Sequence, residues 1–165
     1  MKSASKIFLV AATALLLLVG CEQEPDIRTL DSGPPIVPAD QSSRDFGDYV
    51  LHFNALSTDQ LEPEVAKQYN IVRSKNRAML NVSIIKKVAG ATGQSVPGSV
   101  SATATNLNGQ LKNLSLREVQ SGGAVYYIGD VSISGEETLI FNIDATPINE
   151  TSRFSVRFSQ QFFGD

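Results

Sequence analysis

The chain of 165 residues has one cysteine, one histidine and no excess of positive charge. A single cysteine excludes an intramolecular disulfide, so packing must stabilise the fold. A single histidine excludes sites built from several histidines, and the chain contains no CxxC motif, HExxH motif or aspartate-rich calcium loop. The formal net charge of −3 argues against nucleic-acid binding, which requires a basic excess. We therefore expect no metal, no cofactor and no nucleic-acid partner.

The single cysteine, Cys21, lies at the end of an apolar run that follows Lys2 and Lys6. A positive start, an apolar middle and a small residue before the cut, here Gly20, are typical of an export signal. The run is shorter than the roughly 20 apolar residues that span a bilayer, and it contains Thr13. This pattern favours a cleaved signal peptide over a membrane anchor.

The last four residues of this segment, Leu18-Val19-Gly20-Cys21, resemble the lipobox of bacterial lipoproteins. The resemblance implies that residues 1–20 are removed and that Cys21 carries the lipid. Two or more acyl chains anchor a protein stably, whereas one chain binds reversibly. Glu22 follows the cysteine, and its similarity to the Gram-negative sorting pattern implies the periplasmic face of the outer membrane. An ordinary secretory signal is the alternative.

Residues 21–45 have the composition of a linker. Four prolines lie among serine, aspartate and glycine, with little periodic apolar signal. The segment from Glu22 to Asp48 contains seven acidic and two basic residues, whereas the rest of the chain from Tyr49 onward contains ten acidic and ten basic residues. We predict a disordered, acidic, proline-rich spacer between the lipid and a folded domain of residues 46–165.

The folded domain shows apolar residues at every second position, which is the pattern of strands with one buried face. Turn residues such as Asn108-Gly109 and Ser121-Gly122-Gly123 separate the segments. We predict an all-β fold, an immunoglobulin-like antiparallel sandwich of about seven strands. The predicted strands contain Tyr49 to Ala55, Leu80 to Ile84, Val100 to Ala104, Leu114 to Leu116, Val125 to Ile133, Leu139 to Ala145, and Phe154 to Phe162.

One short helix is predicted between the first two strands. Pro63 suits the first helical position, Glu64 complements the helix dipole, and Asn70 can close the end. Val65 and Tyr69 are four residues apart and share one face of such a helix. We expect them to cover an open end of the sandwich.

The segment LEPEVAKQYNIVRSKNRAMLNVSIIKK, with TATNLNGQL, VYYIGD, FGDYVLHFNALST and RFSVRFSQQFF, resembles a Gram-negative family of unknown function. It is number four thousand four hundred and twenty-six in the domain-of-unknown-function series. The resemblance covers about Phe46 to Phe163 and implies an envelope location. It implies no activity and no catalytic residues.

A basic cluster follows the predicted helix, in Arg73-Ser74-Lys75-Asn76-Arg77. In an extended chain, residues two apart project to one side, so Arg73, Lys75 and Arg77 would form a stripe. Such a stripe is a candidate site for an anion or an acidic partner, because arginine binds carboxylates and phosphates bidentately. The alternatives are a solvated face or internal salt bridges.

Two classes of function follow from these observations. The first is a non-catalytic, membrane-anchored periplasmic module that contacts an envelope protein or the cell wall. The second is a small-ligand binder, cell-wall binder or enzyme with a pocket near His52, Arg73 and Tyr126. We favour the first and predict no enzyme activity, because a lone strand histidine without a nucleophile-elbow motif is weak evidence for catalysis.

Overall fold

The computed structural model describes residues 33–38 and 41–165. The predicted signal peptide, Cys21 and the first part of the predicted linker lie outside the described residues. The compact unit that the structure describes is Gly33–Asp165. In the described ranges, no helix has the length and apolar character needed to cross a membrane.

Within these ranges the chain forms eleven strands, one α-helix and one short 3-10 helix, so the all-β prediction is confirmed. The helical elements are the 3-10 helix Thr58–Gln60 and α1, Pro63–Gln68. The strands are β1 Ile36–Val37, β2 Ser43–Asp45, β3 Tyr49–Ser57, β4 Arg77–Lys86, β5 Gln94–Val96, β6 Gly98–Asn106, β7 Leu111–Lys112, β8 Arg117–Ser121, β9 Ala124–Ser132, β10 Glu136–Pro147 and β11 Phe154–Phe163.

The strands form two sheets. The first sheet has the order β1-β11-β10-β6-β7, and the second has the order β2-β3-β4-β9-β8, with β5 pairing with the end of β4. β1 runs parallel to β11, and the other pairs along both sheets are antiparallel. β1 pairs with β11 only at Arg157 and Phe158, so it protects a short part of that edge strand.

The core lies between the two sheets and is built from the alternating apolar residues of each. Phe53 of β3 and Phe158 of β11 join the sheets, with their ring centroids 4.9 Å apart. Phe158 also stacks on Phe141 of β10 at 5.1 Å. Leu51, Leu80 and Phe141 are almost completely buried. The residues between them on each strand therefore face outwards, because side chains alternate along a strand.

One predicted strand, Leu114 to Leu116, is wrong, since β8 begins at Arg117. The reason lies at Gly129 of β9. A side chain there would lie 2.5 Å from the carbonyl oxygen of Ser115 and 2.9 Å from Leu114. The segment therefore passes directly over β9, and its two leucines pack against the core without forming a strand.

Two short parts of the predicted linker also form strands. β1 pairs with β11 and β2 pairs with β3, and Val37 of β1 is only 6% exposed. Strands of two or three residues have too few positions for alternation to be read from the sequence. The folded unit therefore includes residues that the composition assigns to the spacer.

Candidate functional site

The outer face of the second sheet carries an unusual row of side chains along β3 and β4. Three successive cross-strand pairs point away from the core: Leu56 with Met79, Asn54 with Asn81, and His52 with Ser83. The row therefore changes from apolar to polar along two neighbouring strands. An outer sheet face that meets only solvent is usually polar throughout, so the apolar end needs a cover.

That cover is provided by α1 and the residues on either side of it. Met79 of β4 and Ile128 of β9 both face outwards, yet each is only 7% exposed. Val65, Gln68 and Tyr69 from the helical segment lie over the same region. The structure therefore places α1 beside the outer face of the second sheet, and the expectation that Val65 and Tyr69 cover an end of the sandwich is wrong.

A groove remains between α1 and the sheet, with a volume of about 500 Å³. We call it the α1 groove. It is lined by neutral side chains from β3, β4, β8, β9 and the helical segment, and these described lining residues include no Asp, Glu, Lys, Arg or His. They are Asn54, Leu56, Leu61, Val65, Gln68, Tyr69, Ile71, Met79, Asn81, Val119, Ser121, Tyr126 and Ile128.

Local sequence features hold α1 in this position. Pro63 occupies the first turn of α1, where its missing N–H is not needed. α1 ends at Gln68, and two residues later Asn70 has a φ of 52°, a left-handed conformation that asparagine tolerates and that turns the chain out of the helix. Ala66 faces inwards and is only 2% exposed.

The chain that returns from α1 to β4 is fixed by Thr58, which is completely buried. Its Oγ1 lies 2.8 Å from the carbonyl oxygen of Val72 and accepts a hydrogen bond from the N–H of Ser74 at 2.9 Å. On the other side, the Arg117 guanidinium of β8 donates to the carbonyl oxygen of Tyr69. The segment around α1 is thus connected by hydrogen bonds to the 3-10 helix on one side and to β8 on the other.

A second, smaller cleft continues the groove along β3 and β4. We call it the polar cleft; it has a volume of about 280 Å³ and is lined by Ser42, His52, Phe53, Asn54, Asn81 and Ser83. Asn54 and Asn81 line both cavities. The Oδ1 atom of Asn81 is shielded from solvent, and no hydrogen bond from the described residues reaches it. A buried acceptor without a partner destabilises a fold and is often found at a functional site.

The predicted basic stripe does not have the extended geometry on which it was based. A turn at residues 75–76 separates its members, and the N–H of Arg77 donates to the carbonyl oxygen of Ser74. Each cation then contacts a different group. Arg73 donates to the carbonyl oxygen of Asp59 at 2.7 Å, Lys75 pairs with Asp165 at 3.3 Å, and Arg77 pairs with Asp130 on β9. A role for Arg73, Lys75 and Arg77 in binding an anion or a partner stays a prediction.

The structure places only two of the three residues of the alternative pocket on the same surface. His52 lines the polar cleft and Tyr126 lines the α1 groove, on the same face of the same sheet. Arg73 lines neither of these cavities. In residues 33–38 and 41–165, no group of three or more His, Cys, Asp or Glu side chains is placed to hold a metal ion.

Sequence reasoning missed the apolar half of the site, although a signal for it was present. Met79 stands at a position of β4 that the alternation assigns to the polar face. Likewise, Tyr126 and Ile128 flank the inward-facing Tyr127, so β9 is apolar on both faces over three residues. A strand that is apolar on both faces indicates that a further element covers it.

A family model described as "Domain of unknown function (DUF4426)" matches residues 43–165. The chain belongs to the DUF4426 family. This confirms the family predicted from the sequence, and it covers nearly the whole folded unit. No curated protein matches the chain.

Solved structures similar to this DUF4426 protein include a member of the same family and FetP. A DUF4426 family protein from Pseudomonas aeruginosa is 31% identical, with a TM-score of 0.64; the match covers 74% of this chain and 94% of that one. FetP from uropathogenic E. coli strain F11 is 14% identical, with a TM-score of 0.51; the match covers 74% of this chain and 93% of that one. At 14% identity the second likeness shows the fold alone.

Proposed function

We propose that this protein is a periplasmic lipoprotein, anchored through Cys21 in the outer membrane, whose folded unit is a non-catalytic binding module. We also propose that the two sheets of the folded unit form a sandwich of the immunoglobulin-like type. Its ligand is a small, largely apolar, uncharged molecule that occupies the α1 groove. The lipobox-like segment supports the anchor, and the groove supports the binding function.

The observation that carries the proposal is the neutral, apolar character of a groove of about 500 Å³. Small-molecule sites are clefts of roughly 300–1,000 Å³ lined mainly by apolar and aromatic side chains, with a few polar groups. The α1 groove has this composition, with Leu56, Met79 and Ile128 on its floor and Tyr69 and Tyr126 among its aromatic residues. Each Å² of apolar surface that a ligand buries in the groove contributes about 25 cal/mol of favourable free energy to binding.

The same lining supports a role without catalysis. General acid–base chemistry uses a side chain that gains or loses a proton near the operating pH, and nucleophilic catalysis uses an activated nucleophile. The described lining residues of the α1 groove supply neither a carboxylate nor a histidine. Ser121 of β8 lines the groove and carries a hydroxyl, but the described lining residues include no carboxylate or histidine that could act as its general base.

Binding of the uncharged fluorescent probe N-phenyl-1-naphthylamine tests this proposal. We expect saturable fluorescence enhancement with the purified folded unit, with a dissociation constant in the range of about 1–100 μM. Val65→Asp places a charge at the groove wall and should weaken binding by at least about tenfold, because a charge in an apolar site is poorly solvated. Aspartate suits the first turn of α1, so the variant should keep its fold.

Val72→Asp is the matched control, because Val72 is 67% exposed and lines neither the α1 groove nor the polar cleft. This variant should bind the probe as the wild type does, and thermal unfolding should show that both variants are folded. Absence of saturable binding to the wild type, or equal binding to the Val65 and Val72 variants, would contradict the proposal.

A further inference from the structure

The α1 groove and the polar cleft are two halves of one surface. Successive outward pairs on a strand ladder lie about 7 Å apart, because two residues rise by that distance. The pair Asn54–Asn81 therefore lies about 7 Å from Leu56–Met79 on one side and about 7 Å from His52–Ser83 on the other. A ligand that lies along the two strands meets an apolar floor first and hydrogen-bonding groups next.

We propose that the two cavities form a single amphipathic site, whose ligand is an amphiphile with an apolar chain and an uncharged, hydroxyl-rich head. The chain occupies the α1 groove and the head occupies the polar cleft. This inference rests on the proposed function and adds the chemistry of the head group.

The lining of the polar cleft determines which head group fits. It presents the hydroxyls of Ser42 and Ser83, the amides of Asn54 and Asn81, and the imidazole of His52. These groups both donate and accept hydrogen bonds, as the hydroxyls of a sugar or another polyol do. The described lining includes no Lys, Arg, Asp or Glu. A permanently charged head would therefore lose its hydration without gaining an ion-pair partner.

Asn81 marks the point at which the two halves meet. Its Oδ1 is buried without a hydrogen bond from the described residues, at a position shared by both cavities. Rotation of the amide about its terminal torsion brings either its oxygen or its nitrogen towards the cleft. A head-group hydroxyl can then donate to that oxygen or accept from that nitrogen.

The inference is tested by displacing N-phenyl-1-naphthylamine with three octyl amphiphiles below their critical micelle concentrations. They are n-octyl β-D-glucoside, nonanoate and octyltrimethylammonium, which share an eight-carbon alkyl chain and differ in the head. We expect the glucoside to displace the probe at a concentration about tenfold lower than either charged amphiphile, corresponding to about 1.4 kcal/mol.

Asn81→Leu removes the polar group at the junction while keeping a side chain of similar size. Because Asn81 also lines the α1 groove, the affinity of this variant for N-phenyl-1-naphthylamine is measured separately. We expect the variant to lose most of the preference for the glucoside, measured as the ratio of the concentrations at which the charged amphiphiles and the glucoside displace the probe. The matched control is Asn142→Leu on β10, because Asn142 pairs with Thr103 on the outer face of the first sheet. This variant should keep the preference.

The outcomes separate the two proposals. If the wild type does not bind the probe, the proposed function fails, and this inference fails with it. If the probe binds but a charged amphiphile displaces it as well as the glucoside does, the head-group inference is overturned and the groove stands. A glucoside preference that survives Asn81→Leu would overturn the inference in the same way.

Discussion

Glu137 lies at the end of the inner face of β10 and illustrates how a charged side chain is accommodated beside the core. Its side chain is 12% exposed and pairs with Lys112 of β7 at 2.5 Å. Asn106 and the N–H of Ser134 also donate to it, at 3.3 and 3.2 Å. Burial alone would raise the pKa of Glu137, but the hydrogen bonds from Lys112 and Asn106 outweigh it and lower the pKa.

A carboxyl group with a lowered pKa in the folded state stabilises the protein above its unfolded pKa, and this stabilisation is lost as the pH falls through the folded pKa. We predict that Glu137→Gln lowers the free energy of unfolding by about 1 kcal/mol at neutral pH. The difference from the wild type should shrink on acidification below about pH 4. Urea denaturation across this range measures it.

Glu136→Gln is the control for this experiment, because Glu136 is exposed and adjacent in sequence. It should change the unfolding free energy by less than about 0.5 kcal/mol at any pH in the series. A constant difference between wild type and Glu137→Gln at all pH values would show that the ionised carboxylate is not the stabilising form.

For the individual strands, the alternation of apolar and polar residues predicts the structure well where one face is buried and the other is exposed to solvent. β3, β10 and β11 are of this kind, and their inward residues are those that the sequence assigns to the core. The segment from Leu114 to Leu116 has the same alternation, yet it crosses over β9 at Gly129. Sequence spacing cannot show this, because it depends on a contact between two segments of the chain.

The candidate site was only partly predictable for the same reason. The sequence predicts α1 and the polar outward side of β3, but not the sheet face against which α1 packs. Met79 breaks the polar pattern of its face, and only the folded structure shows that α1 covers it. The basic cluster looked extended in the sequence, whereas the hydrogen bond between Arg77 and Ser74 forms a turn.

Gly129→Ala tests the account of the segment that crosses β9. The new Cβ would lie 2.5 Å from the carbonyl oxygen of Ser115, 2.9 Å from Leu114 and 3.0 Å from Leu116. We predict a loss of about 1–3 kcal/mol in unfolding free energy, as for other overpacked cores. Chemical denaturation checks it, with Ser132→Ala at the exposed end of β9 as the control. Unchanged stability of Gly129→Ala would mean that the segment does not pass this close to β9.

At the scale of the whole molecule, the proposed anchor and the proposed binding module are separate properties. We predict that the full-length chain fractionates with outer membranes when expressed in a Gram-negative host, because two or more acyl chains anchor a protein stably. Cys21→Ser should move it out of the outer-membrane fraction without changing N-phenyl-1-naphthylamine binding by the purified folded unit. Retention of the serine variant in the outer-membrane fraction would contradict lipid attachment at Cys21.

The proposed ligand site lies on the outer face of the second sheet, beneath α1. Methyl NMR spectra of the folded unit, recorded during titration with N-phenyl-1-naphthylamine, show directly where a ligand binds. We expect the methyl signals of Met79, Ile128 and Leu56 to shift progressively and saturate together, whereas that of Leu111, on β7 of the first sheet, does not move. Shifts at Leu111 without shifts at Met79 and Ile128 would place the ligand elsewhere and contradict the proposed site.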